Sequence, residues 1–383
     1  MAAIAPWLVH VSFGLLGGAR TVFLQSRSAR FILARPALAL ALIMAGLGTI
    51  GLLVWFGISE TFATDFSVYW RTANEPLTMA YMPRDELPFP YAPTMLLWIK
   101  PLSVMPMWPA FAIWVMISVF CLAKACRMHL SVSETWLVLA GPILIYGFAT
   151  GQVSAVLAAI LLWSCTARNR MAAGVGLAVI ASVKPQLVLL APLFLLVRRD
   201  WLAFGSAALG FLTLVLASIL AFGFPIWFEW FYSLDNFHRV LLEQSVLGVG
   251  ATPAAAAEHW HLPPLPFLLG GLALGAWLVV KCRNLGPLET SAAIATGSLM
   301  TAPYALTYDL AALAPFLVAA IYRGSIPAAV AFAGALHPIP LALTFFQLIV
   351  RKGDGRMERV SPSSLVDHGS GGDRRLPAVP PVS

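Results

Sequence analysis

Charge is what this sequence has least of. Only 11% of its 383 residues are Asp, Glu, Lys or Arg, against 60% apolar, and the mean hydropathy is +0.83. Soluble domains carry about 25% charged and roughly 45–50% apolar residues. A water-soluble fold is excluded, because it would have to expose much of this apolar surface; lipid must cover it. The strict apolar–polar alternation of an outer-membrane barrel is also missing. The apolar runs are continuous, and in lipid a backbone satisfies its own hydrogen bonds only as a helix or a closed barrel, so helices remain. Cysteine is scarce. Cys121, Cys126, Cys165 and Cys282 form no C-x-x-C pair and have no histidine at metal-ligand spacing. They read as small apolar residues near cytoplasmic helix ends, where thiols stay reduced. P-loop, dinucleotide and zinc-protease motifs are absent, so no cofactor and no metal are expected. The net charge of +7 does not indicate nucleic acid. The basic residues stand in short clusters between apolar runs, as in the cytoplasmic loops of a polytopic protein. The first 19 residues lack the basic start of a cleavable signal and precede Arg20, Arg27, Arg30 and Arg35; this segment is expected to lie along the inner membrane surface.

A spanning helix needs about 20 apolar residues. The first clear run is Pro36 to Gly57. A polar stretch follows over 58–90, with five acids (Glu60, Asp65, Glu75, Asp85, Glu86) against Arg71 and Arg84. Apolar character resumes at Tyr91 and runs, with a proline-rich interruption at Pro101–Pro109, to Ala123. Further spans are expected over 134–149, 152–166, 171–183, 185–197, 202–222, 264–280, 288–304, 306–321 and 326–349. The fold class is therefore all-α, a polytopic transmembrane bundle of about 10–12 spans. It is expected to fill residues 1–350, followed by a tail over 351–383 rich in Gly, Ser, Pro and charge and expected to be disordered.

The positive-inside rule orients the set. With the N-terminus in the cytoplasm, the cytoplasmic loops fall at Lys124/Arg127, Arg168/Arg170, Arg198/Arg199, Lys281/Arg283 and Arg323, and each is basic. The last run breaks the scheme. One crossing over 326–349 would leave Arg351, Lys352, Arg356 and Arg359 outside, whereas a break at His337-Pro338-Ile339-Pro340 would make two short or re-entrant pieces. Both topologies remain open.

With that orientation the unusual polar residues gather at the external helix ends, and ionisable groups at membrane depth are functional candidates. Asp65 lies in Thr64-Asp65-Phe66-Ser67-Val68-Tyr69-Trp70, just past the first run. A carboxylate there, shielded by aromatics, has the setting of a general base toward a hydroxyl; the alternative is an ordinary helix N-cap. Lys184 precedes Pro185, which disfavours helix at Lys184. It is placed to hold a lipid phosphate or, alternatively, to snorkel to the interface. Gln152, in the Gly151-Gln152 turn, binds a sugar hydroxyl or caps the next helix. Tyr308-Asp309 binds substrate or supplies a helix-start acid. His238, His259 and His261 share the long external loop without a carboxylate at a recognisable metal spacing.

In order along the chain these residues make a pattern. It consists of D-x-x-V-Y-W at Asp65–Trp70, P-F-x-Y-A-P at 88–93, Pro101-Leu102, G-Q-V-S-A-V-L at 151–157, K-P-Q at 184–186 and P-Y-x-x-x-Y-D-L at 303–310. The pattern resembles glycosyltransferase family 87, the polyprenol-phosphate-mannose-dependent type within the GT-C superfamily, over roughly residues 40–325. The resemblance implies a multi-pass enzyme of the cell membrane (a bacterial inner membrane). Such an enzyme moves a hexose, with mannose the sugar the family implies, from a polyprenyl-phosphate carrier to a lipid or glycan acceptor on the extracytoplasmic side, with inversion. It places Asp65 as the base, with Tyr69, Arg71, Tyr91, Gln152, Lys184, Gln186, Tyr308 and Asp309 binding substrate. Lys184, with Arg71 or Arg84, would neutralise the departing phosphate. The histidine often found in the family's late motif is absent between Tyr304 and Asp309. A transporter or lipid flippase is the competing reading, and a non-catalytic scaffold a third. A flippase needs polar groups at span centres or cytoplasmic ends too, whereas here they gather outside.

Overall fold

A computed structural model describes residues 35–59, 61–82, 89–243, 250–334 and 338–353. The N-terminal segment with Arg20, Arg27 and Arg30, the loop residues Glu60, Arg84, Asp85, Glu86 and Pro88, His337, and the tail from 354 with Arg356 and Arg359 lie outside the described residues.

The chain is an all-α multi-pass bundle. Among the described residues, four helices are long and apolar enough to cross a membrane: α1 (Pro36–Ser59), α3 (Met107–Cys126), α9 (Trp201–Phe222) and α12 (Pro264–Cys282). A bent pair, α4 (Val132–Leu139) and α5 (Pro142–Thr150), inclined by 57° at Ala140-Gly141, has the apolar length of a broken span or a re-entrant loop. Pro142 ends one helix and starts the other because its missing N–H is costly inside a helix and free of cost at a first turn.

The remaining expected spans are shorter or broken. α6 (Ser154–Thr166) and α7 (Arg170–Val183) are single short helices. The expected 185–197 span is a 3-10 turn at Pro185–Leu187 followed by α8 (Ala191–Val197). The run after Tyr91 is also not one span: short helical turns occupy Pro93–Val104, and the crossing itself begins at Met107.

Which helices face lipid follows from side-chain size. α1 and α9 carry Leu, Ile and Phe all round and bury few residues, among them Ala37, Ala41, Ala45 and Ala203. α13 (Pro287–Thr301) reads Ser-Ala-Ala-Ile-Ala-Thr-Gly-Ser and is buried from Thr290 to Met300. Lipid tails are as apolar as leucine, so helices associate in a membrane where small residues let backbones approach. α12 and α13 cross so closely that a Cβ on Gly271 would lie 1.8 Å from the Met300 carbonyl oxygen, and one on Gly297 would lie 2.9 Å from that of Gly275. α6, α13 and the 3-10 turn Thr307–Leu313 with α14 (Ala314–Tyr322) form the buried centre.

The basic helix ends share one face. Arg170 ion-pairs with Asp200, His129 Nε2 lies 2.7 Å from Thr166 Oγ1, and Glu134 attracts Arg323. Of the two arrangements left open for 326–349, the chain forms two pieces, α15 (Ile326–Phe332) and α16 (Ile339–Gly353), with Gly334 and Pro338 between them. Arg351 ion-pairs with Glu289 in the first turn of α13, beside the Lys281/Arg283 loop. α15 starts beside Arg323, and the ion pair holds the end of α16 near the Lys281/Arg283 loop, as two short or re-entrant pieces would. The half-buried attraction and the proline break both favour the return.

Candidate active site

The opposite ends of the bundle hold α2 (Thr64–Asn74), a short helix that lies across the helix termini. Its apolar residues Phe66, Tyr69 and Ala73 face inward. It is docked by Trp70 Nε1–H donating to the Met105 carbonyl (2.9 Å), Lys100 Nζ donating to the Ala73 carbonyl (2.5 Å) and Ala63 N–H donating to the Ala149 carbonyl (2.8 Å). Beneath α2, the chain turns between α5 and α6 at Gly151. Gly151 has φ +81°, the left-handed region that glycine enters without penalty, and a Cβ there would lie 2.5 Å from that of Phe66. Trp114 Nε1–H donates to the Gly151 carbonyl (2.8 Å). The turn is thus fixed by conformation, close packing and a buried hydrogen bond together.

Three helix breaks meet here: Gly151-Gln152, Lys184-Pro185 and Ala302–Leu306. Lys184 ends α7 with an extended backbone (φ −139°, ψ 76°), as the following proline requires. Its side chain is 5% exposed. Nζ donates to Asp309 Oδ1 (2.5 Å) and Ser154 Oγ (3.0 Å) and stands 4.5 Å over the Tyr308 ring. Ser154 in turn donates to Asp309 Oδ1 (2.8 Å), and Asp309 Oδ2 accepts the Leu306 N–H (3.1 Å). Lys184 is therefore an inward, paired charge and does not snorkel. Asp309 does two jobs: it closes the start of its own 3-10 turn and holds the lysine.

Beside this ion pair lies a neutral network. The hydroxyls of Tyr69 and Tyr91 are 2.9 Å apart and both donate to Gln152 Oε1, at 3.1 and 3.0 Å. Asp65 lies close to this network, and Gln152 and Thr150 ease the burial of its carboxylate. The N-cap of α2 is Ala63, which makes no side-chain cap, so Asp65 is not an N-cap residue. Gln152 likewise leaves the cap position of α6 to Val153. Burial pushes the Asp65 carboxyl from 3.8 up to about 6; Asp309 adds to the rise, while Thr150, Lys184 and Gln152 oppose it. The side chain is only half-buried by accessible surface, although its carboxylate sits among dense protein atoms.

The structure thus brings Asp65, Tyr69, Tyr91, Gln152, Lys184, Tyr308 and Asp309 into one cluster. Arg71 lies six residues along α2 from Asp65, roughly 120° round the helix, and takes no part in the bonds above. Gln186 sits half-exposed in the turn after Lys184, outside the same bonds. Three further members escape sequence reasoning: Ser154, Thr150 and Tyr146, the last stacked on Tyr308 (6.2 Å between ring centroids, 17°). Ser154 and Thr150 flank Gly151-Gln152 in sequence, which is the signal that would have found them. The histidines stand apart. His238 of α10 (Pro225–Glu243) pairs with Glu258 of α11 (Pro253–His259) at 3.0 Å, and among the described residues no three His, Cys, Asp or Glu side chains group to hold a metal.

A comparison with curated proteins and one with solved structures give no match. The family model described as glycosyltransferase family 87 matches residues 89–307, more than half of the chain. That stretch contributes Tyr91, Thr150, Gln152, Ser154 and Lys184 to the cluster, and the contacts just described join Asp65 and Asp309 to it from either side. The match covers the bundle that builds the site, and the chain belongs to glycosyltransferase family 87.

Proposed function

We propose that this glycosyltransferase moves a hexose, with mannose as the first choice, from a polyprenyl phosphate to a hydroxyl of a lipid or glycan acceptor. The observation that carries the reading is the enclosed juxtaposition of a carboxylate of raised pKa, Asp65, with a buried lysine, Lys184, at the helix ends opposite the basic loops. By the positive-inside rule those ends face the extracytoplasmic side, in a bacterial inner membrane. The bundle through residue 350 is the enzyme domain in this reading.

The chemistry is a single displacement. The acceptor hydroxyl oxygen attacks C1 of the sugar as Asp65 takes its proton. The C1–oxygen bond to phosphate breaks, and the electron pair leaves with the polyprenyl phosphate. One displacement inverts the anomeric centre. Lys184 spends two of its three N–H bonds on Ser154 and Asp309; the third is directed to the leaving phosphate, whose charge grows as the bond breaks. Tyr69, Tyr91 and Tyr308 offer rings and hydroxyls to the sugar, and Arg71 and Gln186 line the approach. The polyprenyl tail stays in lipid throughout.

The test is reconstitution in liposomes with radiolabelled polyprenyl-phosphate mannose and glucose and octyl mannoside as the acceptor probe, comparing wild type with Asp65→Asn. Labelled octyl disaccharide of inverted configuration is expected from wild type alone. Equal product from both removes Asp65 as base. Solute or lipid translocation with no sugar transfer would replace the reading with the transporter.

A further inference from the structure

The helix α10, which follows the crossing α9, is too charged to cross a membrane and too aromatic to stand in water. Asp235, His238, Arg239 and Glu243 occupy its second half, and ionisable groups are expensive in hydrocarbon. Its first half reads Pro-Ile-Trp-Phe-Glu-Trp-Phe-Tyr. The buried stripe is Ile226, Ser233, Phe237, Val240 and Leu241. Opposite that stripe, Phe228, Phe231 and Tyr232 fall within about 100° of one another round the helix. They are 52%, 65% and 73% exposed. Asp235 and Arg239 continue the same outward face, and Arg239 pairs with Glu243 at 3.2 Å on the surface. The outward face therefore changes from aromatic to charged halfway along the helix. Contacts on the inner side fix this orientation. Trp227 Nε1–H donates to Ser218 Oγ of α9 (3.1 Å), Trp230 Nε1–H donates to the Pro90 carbonyl beside Tyr91 (3.2 Å), and the Phe237 ring lies 5.4 Å from that of Tyr304.

We propose that the first half of α10 is seated in the interfacial layer of the membrane, with Phe228, Phe231 and Tyr232 in bilayer lipid, while the charged second half rises into water. The occupant is lipid because the face continues one that already meets lipid. Leu212, Leu216 and Leu220 of α9 are exposed along a helix long and apolar enough to cross. Gly223, at φ +88°, turns the chain out of α9. Phe224 and Phe228, with ring centroids 5.1 Å apart, carry the apolar face across that turn. Amphipathic helices of this kind lie in the plane of the interface, with the apolar face about 5–10 Å into the boundary between headgroups and acyl chains. Tyrosine suits that layer because its ring and its hydroxyl meet different media. Through Trp230 the seat sets the height of the Pro90–Tyr91 wall of the site relative to the bilayer. This seating requires that α9 crosses the membrane; it is independent of the sugar and of its carrier.

The test is electron paramagnetic resonance of single nitroxide labels on the full-length protein. The native cysteines are replaced, and the protein is held in phosphatidylcholine/phosphatidylglycerol vesicles free of polyprenyl phosphate. Phe228→Cys, Phe231→Cys, Tyr232→Cys, Asp235→Cys and Arg239→Cys each carry one label, all on the outward face, and Leu216→Cys on α9 is the lipid-facing standard. Relaxation by oxygen, which concentrates in lipid, is compared with relaxation by a water-soluble nickel chelate. Oxygen is expected to dominate at Phe228, Phe231 and Tyr232, at a shallower depth than at Leu216. The oxygen-to-nickel ratio should then drop sharply, with nickel dominant at Asp235 and Arg239. Nickel dominance at the three aromatic positions would put the face in water and overturn the seating. Weak relaxation by both reagents, with dipolar broadening between labels, would give the face to a second copy of the chain and overturn it as well. So would oxygen access that appears only after polyprenyl phosphate is added, which would make the face a seat for that chain and not for the bilayer.

Discussion

Replacing Lys184 with methionine keeps the length of the side chain and removes its charge. The structure fixes what remains. Asp309 is 2% exposed and loses a partner at 2.5 Å, keeping only the Ser154 hydroxyl and the Leu306 N–H. Two neutral donors satisfy its oxygens in part but offer no countercharge. Leaving one member of a buried pair uncompensated costs about 3–5 kcal/mol. Asp309→Leu strands the ammonium instead and should cost a similar amount. Lys184→Met/Asp309→Leu removes both charges, leaves Ser154 with the Tyr308 ring, and should lose far less than the sum of the single changes. A non-additivity of roughly 3 kcal/mol is therefore expected, at the upper end for residues in direct contact. The assay is unfolding of the purified protein by SDS in mixed micelles, followed by tryptophan fluorescence and fitted as a double-mutant cycle. Single losses that simply add, within about 0.5 kcal/mol, would refute the claim that this pair is a buried, mutually compensating unit.

Other expectations follow from the same structure. Because Asp65 must be ionised to take a proton and its carboxyl sits at about 6, kcat/KM should rise with pH through about 6 and level off above 7. Asp65→Asn should lose roughly 100- to 10,000-fold in transfer at all pH values, so a retained acid limb would refute the assignment. Gly271→Ala puts a methyl 1.8 Å from the Met300 carbonyl oxygen and must push α12 off α13. A loss of about 1–3 kcal/mol in the same unfolding assay is expected, whereas Gly270→Ala, whose Cβ meets nothing within 4 Å, should be close to neutral. Finally, with the native cysteines replaced, Gly324→Cys and Gly353→Cys should react with an impermeant maleimide from the same side of sealed vesicles. Labelling from opposite sides would restore a single crossing over 326–349.

Much of the site was legible before any coordinates. Asp65, Gln152, Lys184 and Asp309 stand out because charge and amide groups are rare in such a chain, and Pro185 announces the break at Lys184. The partners of these groups were not legible. Lys184 invited a phosphate or an interface, and the structure gives it Asp309, 125 residues away in sequence. Ser154 looked like any small residue of an apolar helix, yet it bridges the pair. Arg71 and Gln186 carried the right chemistry in the right segments, but the turn of the helix and the path of the 3-10 turn leave them outside the hydrogen bonds of the cluster.

Composition decided the membrane class, because the transfer of apolar surface to lipid sums over residues and needs no knowledge of contacts. Loop charge decided the common side of the basic ends for the same additive reason. The tertiary structure alone decided which way each helix is turned and where the last run goes. A helix that is apolar all round, as α1 and α9 are, carries no stripe to show its inward face. That choice is made by close approaches such as Gly271 to Met300, by the buried pair Lys184–Asp309 and by the half-buried pair Arg351–Glu289. Such contacts depend on distances between segments far apart in the chain, and no local pattern encodes them.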